Sequence, residues 1–340
     1  MKKRRYYARK RQLRGRKGRK KIWALSACAG AIFVTILILT VAWYVREEEK
    51  EEMSPPDRLV IETVQTPIHL EKIHSHSGIL LRLEDGKVMA KFQENERIFP
   101  ASLTKLMTCI VAIENTEDFE EKLTVDVEAY NELYSQSASM AGFLPGEEAR
   151  VIDMLYGMIL PSGGECSVAV AEHIAGSQEK FVEMMNEKAR QLGMDQTHFV
   201  NATGLHDEDH YSTVKDISTL LEYALKNEMF KEIFCCREYS VPSTNQHLGG
   251  FSFQSSVFKL QEDWTFDGGE IMGGKTGFTD QAGLCLATMA QVRNEEYIAV
   301  TAGAQGDHGT EPYHVYDAFY IYSQVRGDEL PRIQYGKANL

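Results

Sequence analysis

The uncharged run between Ile22 and Val45 constrains this chain more than any other feature. Its 24 residues carry no charged side chain, and about 20 apolar residues suffice for a helix to cross the hydrocarbon core of a bilayer. Residues 1–21 hold 13 Lys/Arg and no acidic residue, and such basic flanks stay on the cytoplasmic side. The sequence therefore predicts a basic cytoplasmic head over 1–21, a transmembrane anchor over 22–45 and an extracytoplasmic body.

A cleaved signal peptide is the chief alternative for this run. The apolar stretch exceeds the roughly 7–15 residues of a signal-peptide core, and no small-x-small cleavage site follows it. The segment Leu25–Cys28 resembles a lipoprotein cleavage box, but most of the apolar run comes after Cys28. An uncleaved, single-pass anchor in the cell membrane is the favoured interpretation, and the lipid bilayer is then a partner of residues 22–45.

The charge balance changes after the anchor. Because 13 of the 37 Lys/Arg residues lie in the head, only 24 remain against 49 Asp/Glu in the rest of the chain. An acidic body argues against nucleic-acid binding, which requires a basic surface. With 43% apolar and 25% charged residues, the composition is that of a globular protein.

The organisation of the body follows from its sequence pattern. Residues 46–66 are charged and contain Pro55-Pro56, which is typical of a stalk; residues 67–325 have a globular pattern, and 326–340 form a polar tail. Asp85-Gly86 predicts a hairpin turn. Helices are predicted from Ser102 onward, and over 151–160, 165–194 with a break near Gly176, 213–229 and 312–325; strands are predicted over 283–292 and 295–304. Strands near both ends with helices between them predict an α+β fold with one sheet built from both ends of the body.

The Ser102-Leu103-Thr104-Lys105 segment is an SxxK motif. On a helix, residues three apart share a face, so Lys105 can reach the Ser102 hydroxyl. A lysine can take the serine proton only if burial or another cation lowers its pKa. The chain has three further SxxK matches, so the motif alone is weak evidence, and a polar helix face is the default interpretation of any one match: Ser177/Lys180, Ser212/Lys215 and Ser256/Lys259.

Two later elements distinguish Ser102 from the other matches. Lys275-Thr276-Gly277 is the only KTG in the chain, and a lysine and a hydroxyl beside a glycine suit a bound carboxylate. Pro161-Ser162-Gly163-Gly164 lies between them, as a loop joining two predicted helices. SxxK, a serine-containing loop and KTG in this order are the motif set of penicillin-binding proteins and β-lactamases.

From about 67 to 325 the sequence resembles the low-molecular-mass penicillin-binding proteins, which are the serine-type D-alanyl-D-alanine carboxypeptidases of the peptidase S11 family. The resemblance implies a β-lactamase/transpeptidase-like fold, with a mostly antiparallel sheet covered by helices, a helical subdomain and a site between them. It rests on six stretches: ERIFPASLTKLMTCIVAIE, FLPGE, LPSGGECSVAVAEHIAGS, MNEKARQLGMDQTHFVNATGL, HYST and GGKTGFTDQAGLCLA.

The resemblance also implies catalytic roles. Ser102 would be the acylated nucleophile, Lys105 its general base, and Ser162 the relay that passes a proton to the leaving amine. The implied reaction removes the terminal D-alanine from peptidoglycan stem peptides that end in D-Ala-D-Ala, and β-lactam antibiotics would inhibit it.

The remaining implied site residues bind substrate. Lys275 and Thr276 would hold the substrate carboxylate, and the backbone N–H of Phe278 would form an oxyanion hole with that of the nucleophile. Gly277 lets the backbone approach the ligand. Gly164 stands where the family usually has an asparagine that orients the lysine and a substrate amide, with Glu165 beside it as a possible substitute.

Two departures from the family keep alternatives open. One is Gly164, and the other is the absence of Arg and Lys from 294–325, where the family usually has a carboxylate-binding arginine. A weakly active or inactive binder of cell-wall peptides, or a β-lactamase-like hydrolase, therefore remains beside the carboxypeptidase. No cofactor or metal is expected, because H-E-x-x-H is absent and the acidic stretch 206–210 is interpreted as a solvated loop.

Overall fold

The protein's main sheet has six antiparallel strands. The structure, a computed structural model, describes residues 67–307 and 309–325. In chain order its strands are β1 (Ser77–Arg82), β2 (Lys87–Phe92), β3 (Lys122–Thr124), β4 (Glu148–Arg150), β5 (Glu238–Val241), β6 (Phe251–Gln254), β7 (Thr265–Phe266), β8 (Gly269–Thr279), β9 (Gly283–Val292) and β10 (Glu295–Ala304). The main sheet has the order β2-β1-β10-β9-β8-β7, while β3-β4 and β5-β6 form two-stranded ribbons. As predicted, both ends of the body contribute strands to one antiparallel sheet.

The helices in the described ranges fall into two groups. Seven are consecutive in the chain between β2 and β7, where the sequence predicts the helical part, and one follows β10. They are α1 (Thr104–Glu114), α2 (Val127–Ser135), α3 (Val151–Ile159), α4 (Gly164–Ala175), α5 (Gln178–Gln191), α6 (Val214–Ala224), α7 (Glu228–Cys235) and α8 (Tyr313–Ser323). The α+β class is confirmed.

The sheet is buried on both faces. Because strand residues alternate between faces, Ile79 and Leu81 enter the core formed with α1 and α3 to α7, while Leu80 enters the core formed with α8. The same alternation runs through β9 and β10. Burial of both faces explains why these two strands read as nearly continuous apolar runs in the sequence.

Two predicted helical stretches are divided in the structure. Residues 165–194 break at Gly176, which ends α4 in the left-handed conformation at φ +78°, as a glycine permits at low cost. Residues 213–229 were expected to form one helix, which is wrong. Helix α6 ends at Ala224, and the Asn227 side chain accepts the Phe230 N–H and caps the new helix α7, because Asn is a good N-cap residue.

The predicted head, anchor, stalk and tail lie outside the described residues. Within the described ranges, no helix has both the length and the apolar character needed to cross a bilayer.

Candidate active site

Ser102 lies in a 3₁₀ turn, Ala101–Leu103, that continues directly into helix α1. One turn later in the chain, Lys105 Nζ donates to Ser102 Oγ at 3.1 Å. The structure therefore brings the two SxxK residues into contact by local helical geometry alone.

The backbone before the nucleophile adopts an unusual conformation. Ala101 has φ +46°, a left-handed value that is uncommon for a residue with a Cβ. Gly204, at φ +82°, packs against this turn, and a Cβ at Gly204 would come within 1.9 Å of the Ala101 carbonyl oxygen. A glycine is thus required at 204 for the segment around Thr203 to approach the nucleophile.

Lys105 is buried, with 3% exposure. Burial lowers the pKa of Lys105 to about 8, and the nearby Glu165 carboxylate acts in the opposite direction. Its Nζ also donates to the Thr203 carbonyl at 2.5 Å. A pKa this close to neutrality leaves a useful fraction of the amine unprotonated, which a general base requires.

A short loop holds the Thr203 carbonyl in place for Lys105. Asn201 Oδ1 accepts the backbone N–H groups of Thr203 at 3.1 Å and Gly204 at 2.7 Å, and Asn201 Nδ2 donates to the Leu205 carbonyl. Sequence reasoning missed Asn201 and Thr203 as parts of the site. The only signal for them is the segment VNATGL within one of the stretches that match the family.

Ser162 and Lys275 form a second serine–lysine pair. Lys275 Nζ donates to Ser162 Oγ and to the Thr276 carbonyl, both at 2.9 Å. Lys275 is fully buried, and burial together with the charge of Lys105 holds the pKa of Lys275 well below its usual value. Ser162 has φ +72°, so both serines are found at or beside left-handed backbone, a type of strain that clusters at functional sites.

Strand β8 brings the KTG residues to the nucleophile. Strand β7 pairs only with Gly269 and Glu270 at the start of β8, and the later residues 276–278 border a cavity. A Cβ at Gly277 would lie 3.2 Å from the Ser102 backbone nitrogen. The small residue in KTG therefore allows the strand to run close beside the nucleophile turn.

Two depressions meet at Ser102. The smaller depression, named the enclosed cavity, measures about 140 Å³, is partly open to solvent and lies on the side of Ser162, Ser256 and Thr276. A wider groove of about 590 Å³ lies on the side of Lys105 and Thr203. Three residues line both depressions: Ser102, Ser139 and Phe278. A peptide can therefore extend on both sides of the nucleophile, with one part in each depression.

Gly164 is the first residue of α4 and faces a loop rather than either depression. Its N–H donates to the Ser139 carbonyl at 2.7 Å, and a Cβ there would lie 3.3 Å from the same oxygen. Glu165 Oε1 accepts the N–H groups of Ala141 and Gly142 at 2.7 and 3.0 Å. Burial raises the pKa of Glu165. Gly164 and Glu165 together fix the loop that carries Ser139 to the site.

The other SxxK serines have different environments. Ser177 caps helix α5 by accepting the Lys180 N–H, and Ser212 Oγ bonds Thr197 Oγ1 at 2.8 Å. Neither lies on a polar helix face, since Ser177 is an N-cap and Ser212 is a buried residue before α6. Both make structural hydrogen bonds and line neither depression. Ser256 instead borders the enclosed cavity, with its Oγ 2.7 Å from Thr276 Oγ1, in a position that the SxxK pattern does not predict.

Comparisons with known proteins identify the family of this chain. The family model described as D-alanyl-D-alanine carboxypeptidase, peptidase S11, matches residues 62–306. The D-alanyl-D-alanine carboxypeptidases DacF of Bacillus subtilis and DacC of Escherichia coli are 35% and 30% identical over 67% and 72% of this chain. The chain spans 57% and 60% of the length of these two relatives.

Solved structures show the same fold. The Streptomyces K15 DD-transpeptidase aligns with a TM-score of 0.66 at 23% identity, over 74% of this chain and 97% of that one. The D-alanyl-D-alanine carboxypeptidase of Mycobacterium tuberculosis aligns with a TM-score of 0.65 at 24% identity, over 77% and 93% of the two chains. The predicted transpeptidase-like fold is confirmed, and by its sequence the chain belongs to the D-alanyl-D-alanine carboxypeptidase family, peptidase S11.

Proposed function

We propose that this protein is a membrane-anchored serine D-alanyl-D-alanine carboxypeptidase that trims the terminal D-alanine of peptidoglycan stem peptides. The observation that carries the proposal is the convergence of three separate segments on one cavity: the SxxK turn, the loop with Ser162 and the KTG strand. Each serine has a buried lysine within hydrogen-bond distance, which is the arrangement that activates a hydroxyl nucleophile.

Acylation begins at Ser102. Neutral Lys105 accepts the hydroxyl proton while Ser102 Oγ attacks the carbonyl carbon of the penultimate D-alanine. The negative charge that develops on the carbonyl oxygen is stabilised by the backbone N–H groups of Ser102 and Phe278. Ser162 then relays the proton from Lys105 to the leaving amine, giving up its own hydroxyl proton and taking one back. The peptide bond breaks, and free D-alanine departs from an ester on Ser102.

Hydrolysis of that ester completes the cycle. Water attacks the acyl carbonyl while Lys105 takes a proton from it. Lys105 returns this proton to Ser102 Oγ as the ester bond breaks and the shortened peptide is released. A β-lactam would acylate Ser102 in the same way and leave a slowly hydrolysed ester. The substrate carboxylate is bound by Thr276, which borders the enclosed cavity, and by Lys275, which donates to the Thr276 carbonyl.

The acylation test uses the full-length chain in detergent with penicillin. We expect one penicilloyl adduct at Ser102, because Ser102 alone among the SxxK serines has both Lys105 and the KTG strand beside it. Intact mass and peptide mapping measure the adduct, and Ser102→Ala is the matched control. An adduct at Ser177, Ser212 or Ser256 would contradict the assignment.

Membrane anchoring is part of the proposal and rests on the sequence of residues 22–45 and their basic flank. Fractionation of cells that express the full chain should find the intact protein in the membrane, with the catalytic part accessible to protease only from outside. A chain lacking residues 1–45, exported by a cleavable signal, is the control and should be released. An extracellular native form that begins just after residue 45 would overturn the anchor.

A weakly active binder of cell-wall peptides is the second candidate, and Gly164 is the observation that favours it. The two candidates separate in one assay of D-alanine release from diacetyl-L-Lys-D-Ala-D-Ala. Release by the wild type that Ser102→Ala abolishes supports the carboxypeptidase; binding without release or adduct supports the binder.

A further inference from the structure

We infer that Ser256 is a substrate-binding residue, which together with Thr276 forms a two-hydroxyl subsite for the terminal carboxylate of the peptide. This inference rests on the proposed carboxypeptidase function and adds a residue that neither the motifs nor the sequence pattern assign to the site.

The two hydroxyls are paired within the enclosed cavity. Ser256 Oγ lies 2.7 Å from Thr276 Oγ1, and both residues line the cavity that also contains Ser102 and Ser162. Thr276 belongs to the KTG strand, whereas Ser256 comes from the segment after β6, so the pair joins two elements at the end of the site that receives the leaving residue.

The backbone holds Ser256 in position. Its N–H donates to the Leu160 carbonyl at 2.7 Å, and the N–H of Ser255 donates to the Arg237 carbonyl at 2.8 Å. Leu160 directly precedes the Pro161-Ser162 loop, so Ser256 is fixed relative to Ser162. A hydroxyl held in place before the ligand arrives loses little entropy on binding.

The chemistry of the pair suits a carboxylate. Each hydroxyl can donate one hydrogen bond, and a carboxylate has two oxygens to accept them, so the ligand can replace the bond between the hydroxyls with one from each. Among the described residues that border the cavity there is no Lys or Arg. The hydroxyls of Ser256 and Thr276 can therefore bind the carboxylate at a place in the lining that holds no guanidinium.

The test compares two substrates on the full-length protein in detergent: diacetyl-L-Lys-D-Ala-D-Ala and the same peptide with a C-terminal carboxamide. We expect Ser256→Ala to lower kcat/KM for the acid by roughly 10- to 100-fold, the effect of one hydrogen bond to a charged group, mainly through KM. The carboxamide should lose only about 2- to 10-fold, because hydrogen bonds to neutral groups are roughly half as strong.

Ser252→Ala is the matched control. Ser252 Oγ lies 2.8 Å from Ser240 Oγ on the β5–β6 ribbon, so the variant also breaks a hydroxyl pair, but one that does not border the cavity. We expect its kinetics to equal those of the wild type with both substrates.

Two kinetic outcomes would overturn the inference. An equal loss with both substrates would show that Ser256 only supports the site, and no loss would show that it does not contact the carboxylate. If the wild type releases no product from either substrate, the proposed function fails instead, and calorimetric binding of the acid peptide to Ser102→Ala, with and without Ser256→Ala, decides the matter. Weaker binding by the double variant supports the subsite, and equal binding contradicts it.

Discussion

The two serine–lysine pairs of this site are similar in geometry and different in origin. Ser102 and Lys105 are three positions apart and 3.1 Å apart in space. Ser162 and Lys275 are 113 positions apart and 2.9 Å apart in space. Both lysines are buried, and burial lowers the pKa of both amines, that of Lys105 to about 8 and that of Lys275 well below its usual value.

The two amines differ in the charged groups that lie near them. The Glu165 carboxylate partly offsets the effect of burial on the pKa of Lys105. The positive charge of Lys105 lowers the pKa of Lys275 further. Two buried cations this strongly coupled disfavour double protonation. The two pairs therefore have different roles: Lys105 exchanges protons near neutral pH, and Lys275 orients Ser162 and the KTG strand through its hydrogen bonds.

Replacing each lysine by methionine should cause the largest losses of activity and should show whether the two serine–lysine pairs have different roles. Lys105→Met removes the general base, a loss of about 10²–10⁴-fold in D-alanine release and in penicillin acylation. Lys275→Met should cost on the order of 10²-fold by misplacing Ser162. Stopped-flow acylation and D-alanine assays measure both effects.

Lys180→Met is the control for these variants, since Lys180 belongs to an SxxK match outside the site and is exposed. It should leave both rates unchanged. Faster acylation by Lys105→Met than by Lys275→Met would reverse the division of roles.

The pH dependence of kcat/KM should test the role of Lys105 as the titrating base. Because the active form of Lys105 is the unprotonated amine, kcat/KM should rise as the pH increases, with a midpoint at about 8. Glu165→Gln removes the charge that raises the pKa of Lys105, so the midpoint should move to lower pH. The glutamine oxygen can still accept the Ala141 and Gly142 N–H groups.

Thermal unfolding controls for the packing of Glu165→Gln, because the new amide is buried. A midpoint that does not move in a well-folded variant would mean that Glu165 carries no charge in the active enzyme. A midpoint that moves upward would contradict the assignment of Lys105 as the titrating base.

The smallest expected effect concerns Gly164. An amide at position 164 would face the loop that carries Ser139, so it would act on the site through that loop. Hydrogen bonds of roughly 0.5–1.5 kcal/mol each lead us to expect that Gly164→Asn raises turnover several-fold. Gly164 has no left-handed φ, but its Cβ would lie 3.3 Å from the Ser139 carbonyl, so the loop must shift by a few tenths of an ångström. Steady-state D-alanine release by both forms measures the change.

Gly164→Ala is the control, since it adds the Cβ without the amide and should not raise turnover. A fast wild type that Gly164→Asn slows would show that the loop carrying Ser139, held by Gly164 and Glu165, already performs the function of the missing side chain.

The sequence by itself determined the local features of this protein. Helical spacing placed Lys105 beside Ser102, and apolar runs and turn residues located β9, β10 and the hairpin at Asp85-Gly86, because each of these depends on near neighbours in the chain. The motif order also indicated that Ser162 and Lys275 belong with Ser102, although it gave no geometry for them.

Only the tertiary structure decided which distant groups meet at the site. The Ser162–Lys275 contact, the Thr203 carbonyl on Lys105 and the Ser256–Thr276 pair each join segments that are far apart in the chain. The low pKa values of both lysines depend on burial, which the packing of sheet and helices produces. Burial and long-range hydrogen bonds are properties of the folded chain, so the motif supplied the chemical groups and the fold set their protonation and partners.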